Sequence, residues 1–150
     1  MTQVSGPPPR RDLRIADTVS FRLLQAVNRM TRPFHDEFGR RFGLGLSEWR
    51  TVMALAAAPG SSGREVAEAM GLDPMTVSRA LRGLEREGRA TRIPDPRNRK
   101  RHRWSLTEDG WTVFDTVMPV ALNRDRNLFG HVSDADRAAL DRVLAMLDGA

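Results

Sequence analysis

Gly71-Leu72-Asp73-Pro74 ends one helix and begins another within four residues, and no other segment restricts the fold as tightly. Glycine takes the left-handed conformation that closes a helix without a Cβ penalty. Asp73 is a good N-cap, and Pro74 suits the first helical position, where no amide partner is missed. The run before the turn, Gly63 to Met70, is short and buries Val66, Ala67 and Met70. The run after it extends from Pro74 to about Glu87, and Gly88 is placed to close it.

The second helix has two faces. Val77, Leu81 and Leu84 fall at i, i+4 and i+7 and pack inward, whereas Met75, Arg79, Arg82 and Arg86 face out. Thr76 and Ser78 stand near its N-terminal end. A short helix, a tight turn and a longer helix form the helix-turn-helix layout, whose second helix presents its N-terminal residues to base edges in the DNA major groove. Arginine suits that task because it donates two parallel hydrogen bonds to guanine. Taken alone, the spacing also fits an ordinary amphipathic helix with a solvated arginine face.

The next segment shifts that balance. Ala90–Ile93 and His102–Leu106 are short extended runs around a turn-rich stretch, residues 94–101, and predict a β-hairpin. The chain has a net charge of +5, carried by 23 arginines and Lys100. Seven of these cations (Arg89, Arg92, Arg97, Arg99, Lys100, Arg101 and Arg103) lie within 15 residues that hold one acid, Asp95. Such crowding is repulsive in an unbound surface and useful beside phosphates. A cationic hairpin following the outward helix can reach the minor groove next to a major-groove contact.

Elsewhere the pattern is helical. Residues 1–12, rich in proline, read as a disordered tail. A helix is expected from about Leu13, with Ile15, Val19, Leu23, Val27 and Met30 as its stripe. Pro33 should interrupt it before it resumes through Phe38 and Phe42. Ser47 is expected to cap a helix carrying Trp49, Val52, Met53 and Leu55. Thr107 should start another, with Trp111, Phe114, Val117 and Met118, interrupted near Pro119. Ser133, with Asp136 approximating a capping box, should open the last. The stripes of the first and last helices need a cover that a small core supplies only in part. Ile15, Val19, Leu23, Leu140, Val143, Leu144 and Leu147 are therefore candidates for a dimer interface, packing within one chain being the alternative. Phe34, His35, Phe38, Trp49 and Met53 could line an apolar ligand pocket, although such stripes also serve as plain core.

Other classes find little support. The chain has no cysteine, which excludes disulfides, thiolate metal sites and thiol redox switching. The three histidines, His35, His102 and His131, are far apart, and no metal or cofactor site is expected. No phosphate loop or nucleophile elbow occurs, so no catalytic residue is assigned. No apolar run approaches the ~20 residues of a membrane span, and no signal peptide is evident, so a cytoplasmic location is expected. At 150 residues, with 40% hydrophobic and 29% charged residues, a single domain is expected over 13–150.

Several segments in order resemble the multiple-antibiotic-resistance regulator (MarR) family: Leu46-Ser47-Glu48-Trp49-Arg50, Val66 through Arg79, Leu84-Glu85-Arg86-Glu87-Gly88, Asp95-Pro96-Arg97-Asn98-Arg99 and Leu106-Thr107-Glu108-Asp109-Gly110. The resemblance spans roughly residues 15 to 148. It implies a mainly α fold with a small β-hairpin wing: a winged helix-turn-helix core at 46–106 and dimerisation helices at 13–42 and 107–148. It implies a homodimeric regulator, usually a repressor, on a pseudo-palindromic double-stranded DNA site, often released by a small aromatic or phenolic ligand. By position, Pro74, Met75, Thr76, Ser78 and Arg79 correspond to the major-groove end of the family's recognition helix. Asp95 and Arg97 correspond to the residues that fix the wing, here expected to pair with each other. Arg99 corresponds to the minor-groove arginine, and Lys100 and Arg101 to phosphate contacts. Asn98 replaces a frequent aspartate, and Pro33 lies in a usually continuous helix. A low-specificity architectural DNA-binding protein is the alternative reading, separable by footprinting against excess random DNA.

Overall fold

The computed structural model describes residue 16, residues 18–34 and residues 39–148. The 1–12 tail, Ile15, His35 and Phe38 fall outside the described residues. The chain divides into two compact units, the first ending at Leu46. In the first unit, α1 (Val19–Phe34) is followed by α2 (Arg40–Phe42), and Gly43 closes α2 in the left-handed conformation, φ 57°. The described part of α1 begins later than the periodicity predicts. Thr18 caps it, its hydroxyl accepting from the Phe21 amide at 3.3 Å and its carbonyl from Arg22 at 3.0 Å. Pro33 is the next-to-last residue of α1, so the helix ends beside it.

The second unit holds α3 (Leu46–Ala57), α4 (Gly63–Met70), α5 (Pro74–Arg86), β1 (Ala90–Asp95), β2 (Asn98–Leu106), α6 (Glu108–Phe129) and α7 (Asp134–Asp148). Its core takes most of the inward faces predicted for these helices: Trp49, Val52 and Leu55 of α3, Val66 and Ala67 of α4, and Val77, Leu81 and Leu84 of α5. Met53 and Met70, expected with them, are only half-buried. The hairpin adds Ala90, Trp104 and Leu106, and α6 adds Val117. Helix α5 packs on α4 and β1, and β2 packs on α4 and α6.

Two expectations need correction, and a third, the cap of the last helix, holds with a different exchange of hydrogen bonds. Ser47 lies inside α3 rather than capping it, and its carbonyl accepts from the buried Thr51 hydroxyl at 2.8 Å. Helix α6 runs unbroken through Pro119. Asp115, whose carbonyl loses its donor there, and Pro119 are both exposed, so water can take the freed group. At α7 the Ser133 hydroxyl accepts from the Asp136 amide at 3.1 Å but also donates to the Asp136 carboxylate at 2.6 Å, an exchange suited to the shorter acid.

The junction between α5, the hairpin and α6 is tight. Gly88 is left-handed at φ 72°, and the Arg89 amide donates back to the Leu84 carbonyl at 2.8 Å. The Thr107 hydroxyl donates to the Gly88 carbonyl at 2.6 Å and accepts from the Gly110 amide at 3.1 Å. A Cβ on Gly110 would collide with the Arg89 backbone carbonyl, which cannot swing away. Gly110→Ala is therefore expected to destabilise the unit by about 1–3 kcal/mol. The check is urea unfolding, with a lower midpoint at unchanged slope.

Candidate nucleic-acid interface

The α4–turn–α5 unit is fixed at each end by local hydrogen bonds. At the start of α4 the Ser62 hydroxyl accepts from the Glu65 amide at 3.3 Å, and Glu65 Oε2 accepts from the Ser62 amide at 2.6 Å, a reciprocal capping box. The Ser62 amide and hydroxyl, with Arg103 nearby, hold the Glu65 carboxyl below its usual range. Gly71 closes α4 at φ 59°, its amide meeting the Glu68 carbonyl at 3.3 Å. Asp73 Oδ1 accepts from the Thr76 amide at 2.9 Å. Hydrogen bonds from the Thr76 side chain and amide lower the Asp73 pKa. Thr76 therefore belongs partly to the cap.

The outer face of α5 is as predicted. Arg79, Arg82 and Arg86 are exposed, and Met75 is 63% exposed at the leading end. Arg79 and Arg82 fold back on their own helix. Arg82 donates from Nε to the Ser78 carbonyl and from Nη2 to the Ser78 hydroxyl, both at 3.2 Å, and Arg79 Nε meets the Met75 carbonyl at a long 3.4 Å. These are weak holds, readily exchanged for a base or phosphate.

The wing differs from the sequence expectation in shape. Its strands are longer than predicted, and the turn contracts to Pro96-Arg97. Pairing is regular from Ala90↔Leu106 to Pro94↔His102, then jumps to Asp95↔Asn98. The register thus skips Arg99, Lys100 and Arg101, which stand on a bulged part of β2 rather than in a loop. Pro94 has no amide to donate, which favours the break at that point. All three bulged cations are exposed.

Asp95 is the wing's internal anchor, only 4% exposed. Its expected side-chain partner was Arg97. Instead Oδ1 accepts from the Arg97 backbone amide at 2.8 Å, and Oδ2 accepts from Arg103 Nε at 2.8 Å. A turn amide lies two residues on, within easy reach of a short acid, which leaves the Arg97 side chain exposed. The Arg97 amide first, then Arg103, lowers the Asp95 pKa.

Asp95, Glu65 and Asp73 are thus all depressed below the unfolded values of about 4. Their contribution to stability is present above those unfolded values and lost as pH falls through the lower folded ones. The urea midpoint is expected to hold from about pH 8 to 5 and to fall below about pH 4. Asp95→Asn should reduce that fall, as urea titrations across pH would show.

The two surfaces meet. Pro74, Ser78 and Arg82 of α5, Ser62, Gly63 and Arg64 at the start of α4, and Arg92, Arg101, His102 and Trp104 of the hairpin line one open cleft. Arg92 lies 5.5 Å from the centre of the Trp104 ring and pairs with Glu85 at 3.0 Å. The hairpin is also tied to the turn before α4, where the Gly60 amide donates to the Trp104 carbonyl at 2.8 Å and the Trp104 amide to the Ser61 carbonyl at 2.9 Å. Sequence reasoning named neither Arg64 nor His102 among the cleft residues.

The other described candidate residues are not among those that line this cleft. Trp49 is buried against Phe114 of α6, ring centres 6.0 Å apart, with Met53 half-buried on the same helix. Phe34 is buried in the first unit. Of the candidate interface residues, Val19, Leu140, Val143, Leu144 and Leu147 are exposed and Leu23 is half-buried; α7 has no buried residue. Among the described residues, no group of acids and histidines could hold a metal, and no helix is long and apolar enough to cross a membrane.

Comparison with known proteins agrees with this architecture. Residues 42–101 match the MarR family. A Thauera aromatica protein named for transcriptional regulation of the hcr operon is 24% identical, covering 98% of this chain and 92% of that protein. BpsR of Bordetella bronchiseptica, whose structure concerns regulation of DNA binding by 6-hydroxynicotinic acid, superposes with a TM-score of 0.81 at 22% identity, over 93% of this chain and 99% of that one. The transcriptional repressor CouR, solved on a 23-mer DNA duplex, superposes with a TM-score of 0.74 at 23% identity, over 90% of this chain and 95% of that one. The family resemblance and the winged helix fold read from the sequence are both borne out.

Proposed function

We propose that this chain, with a MarR-family segment at residues 42–101, is a homodimeric DNA-binding regulator that represses transcription from a pseudo-palindromic site. The observation that carries the reading is the shared cleft: the leading end of α5 and the bulged side of the wing open onto one side of the second unit. Pro74, Met75, Thr76, Ser78, Arg79 and Arg82 would face the major groove. Arg99 would enter the adjoining minor groove, with Arg97, Lys100 and Arg101 on its phosphates. Residues 46–106 then form the reading core, and 13–42 and 107–148 supply the dimer helices. The exposed apolar stripe of α7 supports this, because a second copy would cover it. A twofold dimer sets its recognition helices about 34 Å apart. BpsR and CouR, built on the same fold, are respectively regulated by a small aromatic acid and bound to DNA, as this reading requires. A small aromatic effector belongs to the proposal. A cytoplasmic site of action follows from the DNA target.

Footprinting of genomic fragments recovered with the protein, in the presence of excess random DNA, tests the reading. A discrete protected dyad is expected. Uniform coverage would favour the architectural alternative instead.

A further inference from the structure

Arg103, near the middle of β2, is turned inward. Its Nε donates to Asp95 Oδ2 at 2.8 Å, and its Nη1 reaches Glu65 Oε2 at 3.2 Å and the Gly60 carbonyl at 3.3 Å. These partners belong to three separate pieces: the end of β1, the first turn of α4 and the turn before it. Glu65 is also the acid that caps α4. Arg103 itself lies one residue from Trp104, whose backbone joins the hairpin to Ser61. The bulge that holds Arg99, Lys100 and Arg101 starts one residue further along, past His102, where the register shifts between Pro94 and Asp95.

We propose that Arg103 is a positioning residue rather than a DNA contact: it latches the wing to the capped start of α4 and so sets where the bulged cations stand relative to α5. The inference rests on the DNA-binding reading given above. Two carboxylates face this guanidinium, so a phosphate approaching it would be repelled by both. Drawing Arg103 away would also leave Asp95, 4% exposed, without its charged partner, and an unpaired carboxylate is disfavoured there. A long hairpin needs such a tie, because small angular errors at its base displace the cations at its end.

Glu65→Gln gives a test in which the two roles predict opposite signs. Glutamine can still cap α4, and the substitution adds positive charge beside the wing. Were Arg103 a phosphate contact, releasing it from Glu65 would tighten binding. The latch predicts weaker binding, by about 3- to 10-fold, on a recovered genomic fragment. Arg103→Ala and Arg103→Lys extend the test, with thermal melts as a folding control. Both should lower affinity while leaving the slope of log K against log salt at the wild-type value, because the loosened wing still makes its phosphate contacts once bound and loses affinity only through the cost of ordering it. Lysine keeps the charge but not the fork that reaches several partners. Tighter binding by Glu65→Gln, or wild-type affinity in Arg103→Lys with a slope reduced by about 2 per dimer in Arg103→Ala, would overturn the latch. Wild-type protein that binds neither genomic fragments nor random duplex would instead overturn the DNA-binding reading itself.

Discussion

A variant with Arg99, Lys100 and Arg101 all changed to alanine is expected to bind recovered genomic fragments about 100- to 10,000-fold more weakly than the wild type. All three side chains are exposed, and the hairpin register passes over them, so their removal leaves the core untouched. The unfolding free energy from urea titration should therefore stay within about 0.5 kcal/mol of the wild-type value. The salt dependence gives the sharper reading. If Lys100 and Arg101 each meet a phosphate in both copies, the slope of log K against log salt falls by about 4. Fluorescence anisotropy across a salt series measures affinity and slope together. An unaltered slope would remove the wing from the mechanism.

Arg79→Ala should act differently. Arg79 is exposed and makes a long contact to the Met75 carbonyl, so its guanidinium can be exchanged to a base edge. Loss of a bidentate contact to guanine is expected to weaken binding by about 1–3 kcal/mol per half-site and to relax the preference at one base position. Selection from a randomised duplex pool would show that position becoming degenerate. The wing variant, in contrast, should lose affinity for all sequences alike. A uniform loss for Arg79→Ala would make it a phosphate contact.

The parts of the fold legible in the sequence were those decided locally. Gly71, Asp73 and Pro74 gave the boundaries of α4 and α5 because each acts on its own backbone. The inward face of α5 followed from its period, and Val77, Leu81 and Leu84 are buried. The capping box at Ser62 and Glu65 was present as a Ser-x-x-Glu pattern, but Ser61, Ser62 and Gly63 had the composition of a turn and masked it. Other features depend on distance along the chain. Arg103 meets a carboxylate 38 residues away, and no local rule foretells that choice over its neighbours. The bulge depends on how β2 closes on β1 around Pro94, and the packing of Gly110 on Arg89 depends on where α6 leaves the hairpin. Pro119 shows the reverse case: a breaker is tolerated where solvent can satisfy the carbonyl it frees.

The central claim is that the outer face of α5 and the bulged wing hold adjoining grooves of one duplex. Methylation interference on a recovered site tests it most directly, because guanine N7 lies in the major groove and adenine N3 in the minor groove. In each half-site, interfering guanine N7 positions and interfering adenine N3 positions should lie side by side, about half a helical turn apart. The Arg99, Lys100 and Arg101 triple variant should lose only the adenine signals. Interference confined to one groove, or two patches more than about one turn apart, would contradict the claim.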